Sequence, residues 1–181
     1  GGGGIEGIDD NVGAVTGPIA NDGVGSTDDT TPTLHGSGIK PSETVTVYAD
    51  GVEVPGTVIY DRTNGSWSFD PNPALAAGVY SFTVALTNAA GTSAQSAAQI
   101  VTLDTAPPGT PLNSAGGGGI EGIDDNFGAV TGPIANDGVG STDDTMPTLH
   151  GSGIKPSETV TVYADGVEVP GTVIYDRTNG S

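Results

Sequence analysis

The sequence predicts an all-β protein made of seven-stranded β-sandwich modules in tandem. Three observations carry this. Short runs of β-branched and aromatic residues alternate with polar ones, turn dipeptides of the Asp-Gly and Asn-Gly type separate the runs, and no stretch keeps a helical period. These give the sandwich, and a long repeat gives the tandem: residues 116 to 181 reproduce residues 1 to 66, with Val12 replaced by Phe127 and Thr31 by Met146 and every other position identical. A period of 115 residues is far longer than a solenoid unit of about 20 to 50 and is the size of a whole domain.

The strands follow in chain order. Strand A is expected near Ile5, and B at Thr33 to His35, directly after the boundary set by Pro32. "TVTVYADGVEV" places strand C at Thr44 to Ala49, ending in a hairpin turn at Asp50-Gly51. "GTVIYDRTNGSWSFD" repeats the device, with D at Thr57 to Tyr60, a turn holding Asn64-Gly65, and E at Ser66 to Phe69. "GVYSFTVALTN" gives F at Val79 to Leu86, and "AAQIVTLD" gives G at Ala98 to Leu103, with small residues from Ala89 to Ala97 as a loop between them. About seven strands with regular turn signals are the pattern of an immunoglobulin-like sandwich. Leu34, Val45, Val47, Trp67, Phe69, Tyr80, Phe82, Val84 and Ile100 are its expected core.

Domain limits come from "LDTAPPGTPLNSA". Pro107, Pro108 and Pro111 remove backbone donors and fix φ, so strand G cannot continue and residues 104–111 form a stiff, extended connector. The first module is therefore expected over 1–106, with the start of strand A missing, and the second over 107–181. The second copy stops before the counterpart of Trp67, so most of strand E and all of F and G have no counterpart in it. Half a sandwich leaves apolar faces and strand edges open. The expectation is that 116–181 either gains order from contacts with another chain or is part of a window cut from a longer array.

Charge narrows the partners. Four basic residues against 22 acidic ones leave a net charge of −18, which excludes recognition of nucleic-acid phosphates. Cations are the natural counterpart. Of the acids 16 are Asp and six are Glu, and Asp suits both tight turns and oxygen-ligand loops for hard cations. Cysteine is absent, so a stiff module needs another staple, and bound metal is one. No apolar run of spanning length and no leader pattern occur in this stretch, and no direct membrane contact is expected.

Topology gathers the aspartates. In a sandwich of this order the AB loop and the end of strand G lie at the same pole, and the long AB loop "IDDNVGAVTGPIANDGVGSTDDTTP" carries Asp9, Asp10, Asp22, Asp28 and Asp29, while Asp104 ends strand G. Carboxylates so placed repel each other unless a cation neutralises them. Ca²⁺ takes about six to eight oxygens in irregular geometry. Mg²⁺ demands a stricter octahedron, and Zn²⁺ wants Cys or His, of which only His35 and His150 exist. The other reading is that these aspartates are solvated turn formers. Neither an EF-hand loop nor a tandem Gly-rich nonapeptide is present. The opening "GGGG" reads as a flexible or bulged edge rather than a phosphate cradle, since no lysine or helix follows it.

Several stretches then resemble a known family. "DDNVGAVTGPIANDGVGSTDDTTPTLHGSG", "ETVTVYADGVEV", "NGSWSFDP", "ALAAGVYSFTVALTNAAG" and "IVTLDTAPPGTP", in that order, resemble the bacterial immunoglobulin-like repeats of giant biofilm-associated surface adhesins. The resemblance covers the whole chain. It implies export by type I secretion, retention on the bacterial cell surface, a stalk of near-identical modules supporting adhesion and biofilm formation, and Ca²⁺ at or near module junctions. On this resemblance Asp9, Asp10, Asp28, Asp29 and Asp104 are candidate ligands in the first copy, and Asp124, Asp125, Asp143 and Asp144 in the second. One departure is Asn88, which stands where similar repeats often carry an Asp in the FG loop. The partners implied are neighbouring modules of the same chain and the same protein on other cells.

Catalysis is not expected. No Cys nucleophile exists, each copy has one His, and no Ser-His-Asp set or Glu pair is brought together by the topology. His35 is expected to face solvent. Asn64-Gly65-Ser66 matches a glycosylation triplet, but the hairpin turn explains it. Two alternatives to a stalk stay open: multivalent binding of carbohydrate or other surfaces by the sandwich, and calcium-bridged association between like modules on different cells.

Overall fold

The computed structural model describes residues 2–21, 25–137 and 139–176. The chain divides into two compact units, Gly1–Pro107 and Pro108–Ser181. Sixteen strands are described, and no helix occurs among the described residues.

In the first unit these are β1 (Gly7–Asp10), β2 (Gly17–Pro18), β3 (Ser26–Thr27), β4 (Thr33–Gly36), β5 (Thr44–Ala49), β6 (Val52–Glu53), β7 (Gly56–Asp61), β8 (Ser66–Pro71), β9 (Gly78–Asn88), β10 (Gly91–Thr92) and β11 (Gln99–Leu103). One sheet runs β2-β1-β4-β8-β7 and the other β3-β11-β9-β5-β6, with β10 also on β9. With β1, β4, β5, β7, β8, β9 and β11 as strands A to G, the sheets are ABED and CFG. That is the immunoglobulin-like sandwich the sequence predicts.

Alternation along each strand builds the core. Ile8, Leu34, Trp67 and Phe69 come from one sheet, and Val45, Val47, Phe82, Val84, Val101 and Leu103 from the other. Tyr80 stacks on Phe82 with centroids 5.8 Å apart and is half-buried. The turns behave as their residues require. Asp50 and Gly51 have φ of 51° and 79°, the left-handed pair of a two-residue hairpin that Asp tolerates and Gly favours.

Two expectations are corrected. Strand A, expected near Ile5, begins two residues later at Gly7, and the Ile5 carbonyl accepts from Gln99 Nε2 at 3.0 Å. Ile100 is not a core residue: it is 41% exposed, while Val101 and Leu103 are buried. The register decides this, since Gln99 stands opposite Phe82 and Val101 opposite Tyr80, and opposed residues share a face. The inward set is 99, 101 and 103, and Ile100 falls on the other side.

Three two-residue strands, β2, β3 and β10, were not anticipated, while β6 is the return arm of the Asp50-Gly51 hairpin. The most consequential is β3, which pairs in parallel with β11, Ser26 opposite Thr102 and Thr27 opposite Leu103. It binds the AB loop to the end of the last strand.

The second unit holds β12 (Gly122–Asp125), β13 (Gly132–Pro133), β14 (Thr148–His150), β15 (Tyr163–Ala164) and β16 (Val167–Glu168). The first three form one sheet, β13-β12-β14, and the last two a hairpin. Its apolar side chains stay accessible: Leu149, counterpart of the fully buried Leu34, is 38% exposed.

Candidate functional site

The AB loop of the first unit closes on itself through Thr27. Strand pairing to β11 fixes its backbone, and the side chain is fully buried. The Thr27 hydroxyl donates to Asp10 Oδ2 at 2.6 Å and accepts from the Asp29 backbone N–H at 2.9 Å. Its carbonyl accepts from the Asp104 N–H at 2.8 Å. One residue thus links the end of β1, the loop before β4 and the end of β11.

Both buried carboxylates are held by further donors. Asp10 Oδ1 accepts from the Val12 N–H at 3.0 Å. Asp29 Oδ2 accepts from the Asn11 N–H at 2.9 Å, and Oδ1 from the Thr31 N–H at 2.8 Å and the Thr31 hydroxyl at 3.1 Å. Asp10 and Asp29 are 6% and 1% exposed, so every one of their oxygens has a protein donor in a place where an unpaired charge would be costly. Charge-assisted bonds of this kind are about twice as strong as neutral ones.

The structure sorts the remaining candidates. Asp9 points to the opposite side of its strand from Asp10, as alternation demands, and its Oδ2 lies 3.3 Å from His35 Nε2. Asp9 therefore does not join the Thr27 network. Asp28 is exposed, with its carboxylate over Gly13: a Cβ placed on that glycine would stand 2.7 Å from Asp28 Oδ2. Gly13, at φ 79°, is what lets the loop pass beneath it. Asp104 joins through its backbone, and its Oδ1 accepts from the Ala106 N–H at 3.1 Å, turning the chain toward the prolines. Asp22 lies outside the described residues.

In the second copy the same local bonds recur around Asp125 and Asp144. Asp125 Oδ1 accepts from the Phe127 N–H at 3.0 Å, Asp144 Oδ2 from the Asn126 N–H at 3.0 Å, Asp144 Oδ1 from the Met146 N–H at 2.7 Å, and Thr142 Oγ1 from the Asp144 N–H at 2.9 Å. Asp143 covers Gly128 as Asp28 covers Gly13, and Asp124 Oδ2 lies 3.6 Å from His150 Nε2. Met146 has no hydroxyl to repeat the Thr31 bond.

As a donor set the loop offers hard carboxylate, hydroxyl and carbonyl oxygens, the chemistry Ca²⁺ takes. Among the described residues no three Asp, Glu or His side chains converge as a metal-holding group. Asp10 and Asp29 turn their oxygens to the loop's own N–H and hydroxyl groups.

Thr27 escaped the sequence reading. The signal was present, however: "STDD" is a stretch whose hydroxyl and carboxylate side chains bond backbone two residues away, and a turn motif of this type inside a long loop marks a point where the loop is tied down.

The bacterial Ig-like domain family matches residues 5–105. No curated protein matches the chain.

Proposed function

The chain belongs to the bacterial Ig-like domain family, and from that premise we propose that it is an extender of a large, repetitive adhesin on a bacterial cell surface. Bacterial Ig-like domains commonly occur in extracellular or surface proteins, and the family is typically a non-enzymatic structural fold. In this reading the modules are copied in tandem as a stalk that supports adhesion and biofilm formation.

The observation that carries the proposal is the repeat itself. Copies that differ at two positions add length without adding specificity, and a Pro-rich connector keeps the added length extended. The Thr27 network supports the same reading, because it ties the long AB loop to the end of β11, next to the connector, where a rod under tension is loaded.

Calcium is the proposed stiffener, drawn to the carboxylates at this end of the module. Asp10, Asp28, Asp29 and Asp104 would hold it in the first copy and Asp125, Asp143 and Asp144 in the second. Asp9 and Asp124, each beside a histidine, would take part only if the ion lay on the outer side of β1 or β12. Bound Ca²⁺ would neutralise carboxylates whose mutual repulsion otherwise loosens the loop.

The test is a calcium titration by calorimetry on a protein of two complete modules, with thermal melts in calcium and in chelator. Extracellular calcium modules bind at about 10⁻⁴ to 10⁻³ M, so the melting temperature should rise in millimolar calcium and Asp104→Ala should remove part of the rise. No heat of binding, together with identical melts in calcium and chelator, would leave the prolines as the only source of stiffness.

A further inference from the structure

We propose that the open edge of β7 is a homotypic docking site, to which the β7 of a second molecule of this chain adds as an antiparallel strand in a register centred on Ile59. Strand β7 ends the sheet order β2-β1-β4-β8-β7, and among the described residues no strand pairs on its other side. The sequence leaves that edge undefended. Gly56 to Tyr60 carry no charge, and the strand is six residues long, whereas β2, at the opposite end of the sheet, is only Gly17–Pro18. Short strands, prolines and lysines are how edges are normally closed to pairing.

The ladder shows which groups are on offer. The Asn72 N–H donates to the Pro55 carbonyl at 2.9 Å, and bonded and non-bonded pairs alternate along an antiparallel ladder. With Thr57 opposite Asp70, Ile59 opposite Ser68 and Asp61 opposite Ser66, it is Thr57, Ile59 and Asp61 that bond to β8. The N–H and C=O groups of Gly56, Val58 and Tyr60 therefore point to the open edge. Side chains alternate in step: Val58 and Tyr60 pack against the core, while Thr57, Ile59 and Asp61 are exposed, Ile59 to 62%.

This edge fits itself. A twofold axis through Ile59 sets Val58 of one strand opposite Tyr60 of the other, and the reverse, which matches outward groups with outward groups in about four backbone bonds. Ile59 then meets Ile59 at a non-bonded position, where side chains are closest, and the Thr57 hydroxyl meets the Asp61 carboxylate. Centring the axis on Val58 or on Tyr60 also matches the bonds, but it sets Ile59 opposite Thr57 or Asp61 and loses the apolar pair.

Charge favours the same occupant. At −18, two molecules repel over most of their surfaces. Lys40 and Arg62 are the only Lys and Arg of the first unit, and both lie beside β7: Arg62 sits 4.0 Å over the Tyr60 ring and donates to the Lys40 and Glu43 carbonyls at 3.2 and 2.7 Å. Repulsion between like molecules is thus weakest at the open edge, while a cationic partner would be drawn to the acidic AB loop instead. That loop stands at the other end of the sheet, so the contact needs none of the proposed calcium ligands and is tested separately from them. A repeated module presents repeated edges, and weak single contacts between two arrays would add.

The full chain has no cysteine, so single substitutions in it report the register directly. Two opposed Ile59 residues have Cα atoms about 4.5 Å apart, within the span of about 4.4–6.8 Å that a disulfide bridges, whereas the two Thr57 residues stand four positions apart, about 13 Å along the strand. Under mild oxidation Ile59→Cys should form a covalent dimer at least about tenfold faster than Thr57→Cys. It should outpace by as much Val52→Cys, placed on β6 where Val52 is 71% exposed. Rates should be equal in calcium and in chelator, with Trp67 emission unchanged throughout. By sedimentation equilibrium the wild type should show a monomer–dimer equilibrium, which Ile59→Lys weakens about tenfold by losing the apolar pair and opposing like charges. The proposal is overturned if the three thiol variants cross-link at one rate, if Thr57→Cys is the fastest, or if cross-linking requires calcium. It is equally overturned if the wild type stays monomeric at millimolar concentration, or if Ile59→Lys dimerises as tightly as the wild type.

Discussion

Thr27→Val is the sharpest probe of the first unit, because it keeps shape and β-branching while removing one oxygen. The hydroxyl lost is the donor to buried Asp10 Oδ2 and the acceptor for the Asp29 N–H. A bond to a charged acceptor is worth about 1.5–3 kcal/mol, and stranding a buried N–H costs about 1–3 kcal/mol. Taking the lower half of each range, the loss is about 3 kcal/mol. For a unit of about 100 residues each kcal/mol moves the midpoint by about 4–8 °C, so a fall of about 12–24 °C follows. Thermal unfolding read from Trp67 emission reports on this unit alone, since Trp67 is buried in its core and the second copy has no tryptophan. Thr27→Ser keeps the hydroxyl and gives up a buried methyl, and should cost only about 1 kcal/mol. The reasoning fails if Val and Ser give the same midpoint, because the hydroxyl would then carry no more than the methyl.

Two further outcomes follow from the same structure. Ile100→Thr should change stability by about 0.5 kcal/mol or less, as surface substitutions do, while Val101→Ala should cost about 2 kcal/mol, a difference measurable by denaturant titration of Trp67. In the second copy, the Ser152 hydroxyl bonded to Glu121 Oε1 holds the Glu121 carboxyl below its usual value of 4.5; desolvation opposes it, and the Gly116 and Ser152 backbone and His150 add to the lowering. A lowered folded-state value means that the contribution is complete above the unfolded value and is lost as the pH falls through the folded one. The Glu121 carboxyl should therefore titrate by NMR at a lower pH than the same carboxyl in Ser152→Ala.

Much of the fold was legible because strands whose two faces differ write their period into the chain. Strands B to G were placed within a few residues for this reason. What escaped were elements with no period to read: β2 is Gly-Pro and β3 is Ser-Thr, each too short to alternate. Ile100 was misplaced because "QIVTL" is apolar at consecutive positions, and only its register on β9 selects a face. At the candidate site the acids were visible and Thr27 was not. Asp9 and Asp10 were read as a pair, although neighbours on a strand face opposite ways. That separation was available from the sequence once they were assigned to β1.

The two copies divide what sequence alone determines from what needs the rest of the fold. Asp50-Gly51 and Asp165-Gly166 adopt the same turn, with φ of 51° and 79° in one and 51° and 78° in the other, and the carboxylate-to-backbone bonds of Asp29 recur at Asp144. These are contacts within a few residues or one loop, and the local chemistry suffices for them. "TVTVYA" is a six-residue strand at 44–49, yet only its last two residues are strand at 159–164; "GTVIYD" is a strand at 56–61 and none at 171–176. The letters are identical and the partners are not. Strand β5 is held by β9 and β7 by β8, and among the described residues no strand pairs in that way with 159–162 or 171–176. A strand's backbone bonds and buried face both belong to a neighbour distant in sequence, so a strand pattern states a capacity that only tertiary pairing realises.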